Sequence, residues 1–162
     1  MATGQYFLMN RPITITLNGL GAGNNAFSSA LENPGYLTAD IQIKFRTGSG
    51  ALNSNGYVNL HLLRSADGGA TFDTPQLETV IATIPATRSS TPYVFSAETP
   101  GYLPAHWKIA VSNRTGQPFS TSSGDFMHVY TARLLIDLQI FVFDYVPTGR
   151  ARLSGAATAV MV

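Results

Sequence analysis

Hydrophobic and polar positions alternate with a period of two along much of this sequence. Residues 12–18 read Pro-Ile-Thr-Ile-Thr-Leu-Asn, with Ile13, Ile15 and Leu17 on one face and Thr14 and Thr16 on the other. Residues 40–47 repeat the pattern, setting Ile41, Ile43 and Phe45 against Gln42, Lys44 and Arg46. Residues 57–64 predict a further strand, with Val58, Leu60 and Leu62 inward and Asn59, His61 and Leu63 outward. Residues 78–84 and 91–96 are shorter candidates, and residues 107–112 put Trp107, Ile109 and Val111 on one face. Residues 126–135 and 138–146 follow, as two strands or as one long bent strand. Fifteen glycines and nine prolines cut the chain into these pieces. Residues 18–25, the Gly-Ser-Gly and Asn-Ser-Asn-Gly runs after Thr47, and residues 66–69 read as loops and turns. No helical period and no internal repeat is visible. The expectation is an all-β, antiparallel β-sandwich of jelly-roll type, with one wet face per sheet. It would span residues 12–146, with extended N- and C-terminal arms at 1–11 and 147–162.

At 162 residues the chain is long enough to bury one core without a covalent staple. Charged residues are only 12%, about half the usual share. Ten Lys and Arg against nine Asp and Glu leave a net charge of +1, which argues against a nucleic-acid partner. Cysteine is absent, which excludes a disulfide framework, a zinc-thiolate site and a cysteine nucleophile. The most apolar stretch, residues 134–146, is broken by Asp137, Gln139 and Asp144, so no helical membrane span is expected. Residues 1–10 lack the charged start and apolar run of a signal peptide, and nothing in them directs export. The polar surface must therefore come mostly from Ser, Thr, Asn and Gly. Such a surface is cheap to desolvate against a partner, which suits a repeating assembly.

Candidate chemistry is sparse. Ser65-Ala66-Asp67-Gly68-Gly69-Ala70-Thr71-Phe72 fits Ser-x-Asp-x-Gly-x-Thr-aromatic and resembles the Asp-box of sialidases and other propellers. Physically it is a turn in which Asp67 caps backbone amides and glycine supplies positive φ. The box carries no catalytic group, and it occurs once. His61, His106 and His128 have no second ligand at a metal spacing. Asp67, Asp73 and Asp125 lie in turn-like sequence, and Glu32, Glu78 and Glu98 are isolated. The glycines at 19, 21 and 23 miss the phosphate-loop spacing. No Gly-x-Ser-x-Gly elbow appears, and the scattered arginines 46, 64, 88, 114 and 133 form no evident carboxylate clamp. No enzyme, no metal and no cofactor is expected. Tyr36, Tyr57, Tyr93 and Tyr102 lie near loop–strand junctions, where they would form a sugar-binding face or pack the sandwich edge.

Ala39-Asp40-Ile41-Gln42-Ile43-Lys44-Phe45-Arg46-Thr47-Gly48, then Gly56-Tyr57-Val58-Asn59-Leu60 and Leu63-Arg64-Ser65-Ala66-Asp67-Gly68-Gly69, are followed by Leu103-Pro104-Ala105-His106-Trp107-Lys108-Ile109-Ala110-Val111 and Ser112-Asn113-Arg114-Thr115-Gly116. Together these resemble a family of small tailed-bacteriophage virion proteins, over residues 13–135. The resemblance implies a structural β-sandwich without catalysis, on the capsid exterior as a decoration (cement) protein. Its partners would be the major capsid protein and further copies of itself, with a homotrimer expected. The partner-binding candidates lie in the two arms: Arg11, Arg150, Arg152, Leu153, Val160 and Val162. The alternative is a tail, baseplate or head-fibre component that binds host glycans.

Overall fold

A computed structural model describes the backbone of residues 2–138, 143–144 and 152–153, and the side chains of residues 10–132. One sheet has the order β1-β9-β4-β7, formed by Ala2–Pro12, Met127–Leu138, Thr38–Arg46 and Pro92–Glu98. The other has the order β2-β8-β5-β6, formed by Asn25–Phe27, His106–Arg114, Tyr57–Arg64 and Val80–Pro85; β3, Leu31–Glu32, also pairs with β8. All of these pairings are antiparallel. The chain switches sheets after β1, β3, β4, β6, β7 and β8, which is the winding of a jelly roll. The only helical segments among the described residues are two 3-10 turns, Leu77–Thr79 and Ser123–Asp125.

Period-two patterning builds the core directly. Ile41, Ile43 and Phe45 of β4 face Val58, Leu60 and Leu62 of β5 and Trp107, Ile109 and Val111 of β8, and all are buried. Phe45 stacks on Phe119 with ring centroids 4.8 Å apart and on Tyr93 at 5.3 Å, and meets Phe95 edge-on. Towards the other end of the sandwich, Trp107 meets Tyr130 of β9 edge-to-face at 5.3 Å.

Three sequence expectations need correction. Residues 13–17 bury Ile13, Ile15 and Leu17 as the alternation requires, yet they join no ladder. Pro12 has no N–H to continue β1, and single bonds such as Ile13 N–H to His128 O (2.9 Å) hold the segment instead. His61 and Leu63 do not face water: residues 65–79 fold over this part of β5 and β8, putting Thr79 on His61 and Phe72 against Lys108. The short strands β2 and β3 fall where a loop or no element was expected, because two or three residues are too few to show a period. Of residues 138–146, beyond the end of β9 the described strand is Phe143–Asp144 (β10), paired with Arg152–Leu153 (β11).

β1 runs through position 11, where an arm was expected to meet the domain. β4 pairs with β9 as far as Thr38–Arg133, whereas β1 follows β9 on to Ala2–Leu138. Among the described residues, 2–6 and 134–138 therefore pair only with each other, as a two-stranded ribbon extending about 17 Å beyond the end of the β4–β9 pairing.

Phe45→Ala is expected to cost about 3–5 kcal/mol of stability, because its cavity opens on Phe119 and Tyr93 together. Urea denaturation checks this; a loss below about 1 kcal/mol would mean that the aromatic cluster does not hold the layer.

Candidate functional site

The strongest candidate is a cleft of about 570 Å³ where the β1 edge of one sheet comes against the β3 edge of the other. Each sheet contributes one cross-strand pair. Arg11 lies opposite Tyr130 in the β1–β9 ladder, and Glu32 lies opposite His106 in the β3–β8 ladder. Asn33 and Pro34 complete the wall.

The walls are fixed from behind. Tyr130 is half-buried against Trp107, so its ring cannot swing. Burial raises its hydroxyl above the ordinary value of 10, while the Arg11 charge pulls the other way, so the phenol stays protonated at neutral pH. Asn33 spends its whole side chain on the loops. Its Nδ2 donates to Tyr36 O and Leu103 O (both 2.8 Å), and its Oδ1 accepts from Gly35 N (3.1 Å) and Tyr36 N (2.6 Å). Among the described residues, no hydrogen bond or ion pair occupies the Arg11 guanidinium or the Glu32 carboxylate. The cleft thus presents an aromatic ring, one cation and one anion, with the two charged groups unspent.

The Asp-box motif is a turn that lies behind this wall. Ser65 Oγ donates to Asp67 Oδ1 (2.7 Å) and accepts from Gly69 N (2.9 Å), while Asp67 accepts from Thr71 N (2.9 Å) and Thr71 Oγ (2.6 Å). These bonds, led by the Thr71 hydroxyl, hold the Asp67 carboxyl well below the usual carboxylate range. Gly68 and Gly69 have φ of 70° and 92°, which side-chain-bearing residues rarely adopt. A Cβ on Gly69 would stand 3.2 Å from the His106 ring, so the turn braces that ring from behind.

At the opposite end, a second cleft of about 400 Å³ contains Arg46, Ser120 and Asp125. Its charges are already consumed. Arg46 Nε lies 3.1 Å from Asp125 Oδ1, an ion pair without hydrogen-bond alignment, and Asp125 Oδ2 accepts from Ser120 Oγ (2.6 Å).

Of the sequence-chosen residues, the structure places Arg11 in the main cleft. Arg152 and Leu153 lie in β11 by their backbone alone, and Arg150, Val160 and Val162 lie outside the described residues. The four tyrosines do not form one face. Tyr57 sits at the start of β5, at the opposite end from Tyr102, whose side chain is 79% exposed in the loop beyond β7; Tyr36 and Tyr93 pack against the core. Glu32, His106 and Tyr130 share no sequence signal that marks them as a site, since only the pairing of β3 with β8 and β1 with β9 unites them. Among the described residues no cluster of three His, Cys, Asp or Glu could hold a metal ion. His61 is a buried structural group, its ring 2.9 Å from Thr79 Oγ and 2.8 Å from Ser112 Oγ, which donates to Asn25 Oδ1 at 2.7 Å.

No protein-family model matches this sequence. No curated protein matches it either. Among solved structures, the chain is similar to the C-terminal family 6 carbohydrate-binding module of LamC, a marine laminarinase from Zobellia galactanivorans, at 8% identity and a TM-score of 0.41, over 81% of this chain and 99% of that one. It is also similar to a family 35 carbohydrate binding module from an environmental isolate (10% identity, TM-score 0.39, 85% of this chain and 94% of that one). A third is the EclA C-terminal domain, a sugar-binding protein (12% identity, TM-score 0.38, 83% of this chain and 79% of that one). Likeness this distant carries no functional conclusion, and the ligand class must come from the cleft.

The histidines give the molecule an acid-sensitive stability. Burial lowers the values of His61 and His128 in the folded protein, so both stay neutral there, whereas the unfolded chain takes up protons near 6.5. The unfolded state binds more protons in that window, so stability is full above about pH 6.5 and falls as pH drops towards the folded-state values. A pH series of thermal melts should show this fall, and His61→Gln should flatten part of it. A melting temperature indifferent to pH between 7 and 5 would contradict the burial argument.

Proposed function

We propose that this chain is a non-catalytic recognition module of a phage virion that holds a host-surface glycan in the Arg11–Tyr130–Glu32 cleft. The observation that carries the reading is the pair of unspent charges beside a fixed aromatic ring. Sugars present an apolar C–H face and a rim of hydroxyls. The ring suits the first, and a guanidinium donor with a carboxylate acceptor suits the second. Because all three residues lie in strands, the site is preformed and little ordering is needed on binding. The fold itself does not decide the matter, since jelly rolls serve both viral capsids and lectins.

A glycan array followed by calorimetry tests this. The wild-type chain should bind a defined set of glycans. Arg11→Ala and Glu32→Ala should each weaken binding by about tenfold or more while leaving the thermal melt in place. No array hit, or wild-type affinity in both variants, would sink the reading.

A second reading, capsid decoration, is favoured by the ribbon of residues 2–6 and 134–138 and by the low charge of the sequence, both suited to contacts between many copies. Immunogold labelling of intact virions separates the two. Label over the whole head is expected for decoration, and label confined to the tail or a single vertex for a glycan-binding adsorption component.

A further inference from the structure

We propose that two copies of this chain pair β1 to β1 about a two-fold axis, joining their sheets edge to edge. Among the described residues β1 is an edge strand of 11 residues, paired along one side with β9. Other edges of the sandwich are blunted in ordinary ways. β2 and β3 have three and two residues, β6 ends in Pro85, and β7 begins at Pro92. Over residues 2–8, Ala-Thr-Gly-Gln-Tyr-Phe-Leu, β1 has no proline, no charge and no bulge. Among the described residues it therefore offers a row of unpaired backbone donors and acceptors, with no charge to repel another strand.

The occupant is a second copy for two reasons. A two-stranded ribbon is marginal in water, and at least three strands are needed for independent stability. Residues 2–6 and 134–138 form such a ribbon beyond the reach of β4. Two ribbons joined at β1 make a four-stranded antiparallel sheet, so each copy supplies what the other lacks. Antiparallel pairing about a two-fold is also self-matching: residue 5 meets residue 5, and residues 2 and 8 exchange. An uncharged run tolerates that superposition, whereas any charge near its centre would oppose itself.

The pairing has a built-in stop. Between Leu8 and Arg11 the register with β9 shifts, and Asn10 has φ of 47°. The bulge turns the edge before Arg11, so self-pairing ends short of the cleft and does not depend on what the cleft binds.

Light scattering on the full chain, coupled to size-exclusion chromatography, should give twice the 17.3 kDa chain mass, dissociating on dilution. The sequence has no cysteine, so one placed at the axis reports cleanly. Gln5→Cys should form a disulfide-linked dimer under mild oxidation, and Val94→Cys, exposed on the β7 edge, should not. Gln5→Lys should weaken dimerisation by about tenfold with the sandwich melt unchanged, since it sets like charges face to face. A monomer at every concentration, a trimer, or a dimer that Gln5→Cys fails to cross-link would each overturn the proposal.

Discussion

The layer between the two sheets decides almost everything else about this molecule. β4 has one apolar face, and charged residues are only 12% of the sequence, too few for ion pairs to organise an alternative packing. Ile41, Ile43 and Phe45 can leave water only against Val58, Leu60, Trp107 and Ile109. The large rings sit towards opposite ends of that layer, Phe45 with Phe119 and Tyr93 at one and Trp107 with Tyr130 at the other. The second contact matters for function, because it makes one wall of the cleft an extension of the core. Tyr130 is rigid because Trp107 is.

Buried polarity is handled by amides and hydroxyls in place of charges. Asn113 Nδ2 donates to Leu20 O and Gln117 O (both 2.8 Å), and its Oδ1 accepts from Thr115 N and Thr115 Oγ. Thr47 Oγ donates to Arg88 O at 2.7 Å and accepts from Thr91 N at 3.1 Å. Asn33 does the same at the cleft end. Each closes a loop whose backbone groups would otherwise be stranded beneath the surface. This chemistry lets a chain with 12% charged residues hold long loops still. It also leaves Arg11 and Glu32, which no described residue pairs, available to a ligand at the cleft.

Much of the fold was legible because period two is a local signal. β4, β5 and β8 follow from the alternation around Ile43, Leu60 and Ile109 alone. What escaped was non-local. Ile13, Ile15 and Leu17 alternate as a strand does, but whether a ladder forms depends on a neighbour, and Pro12 ends the one available. His61 and Leu63 read as solvent-facing because nothing in the polar composition of residues 65–79 says that they fold back over β5. The cleft was the least legible feature. Arg11 could be chosen from its place in an uncharged arm, but Glu32, His106 and Tyr130 lie on three different strands, and only strand order brings them together. The Asp-box is legible as a turn from its sequence, but the closeness of Gly69 to the His106 ring, where a Cβ would stand 3.2 Å away, is a tertiary fact.

β1 is where these constraints converge. Its inner part belongs to the sandwich and carries Arg11 to the cleft; its outer part leaves the sandwich with β9 as partner. A regular strand would run both parts along one continuous edge, so anything that docked on the ribbon would also lie across the cleft mouth. The irregularity at Asn10 prevents that by ending the straight edge first. Asparagine is among the few side-chain-bearing residues that accept positive φ readily, so the bend is cheap there. One strand can then present a pairing edge and a ligand-facing side chain a few residues apart, without either obstructing the other.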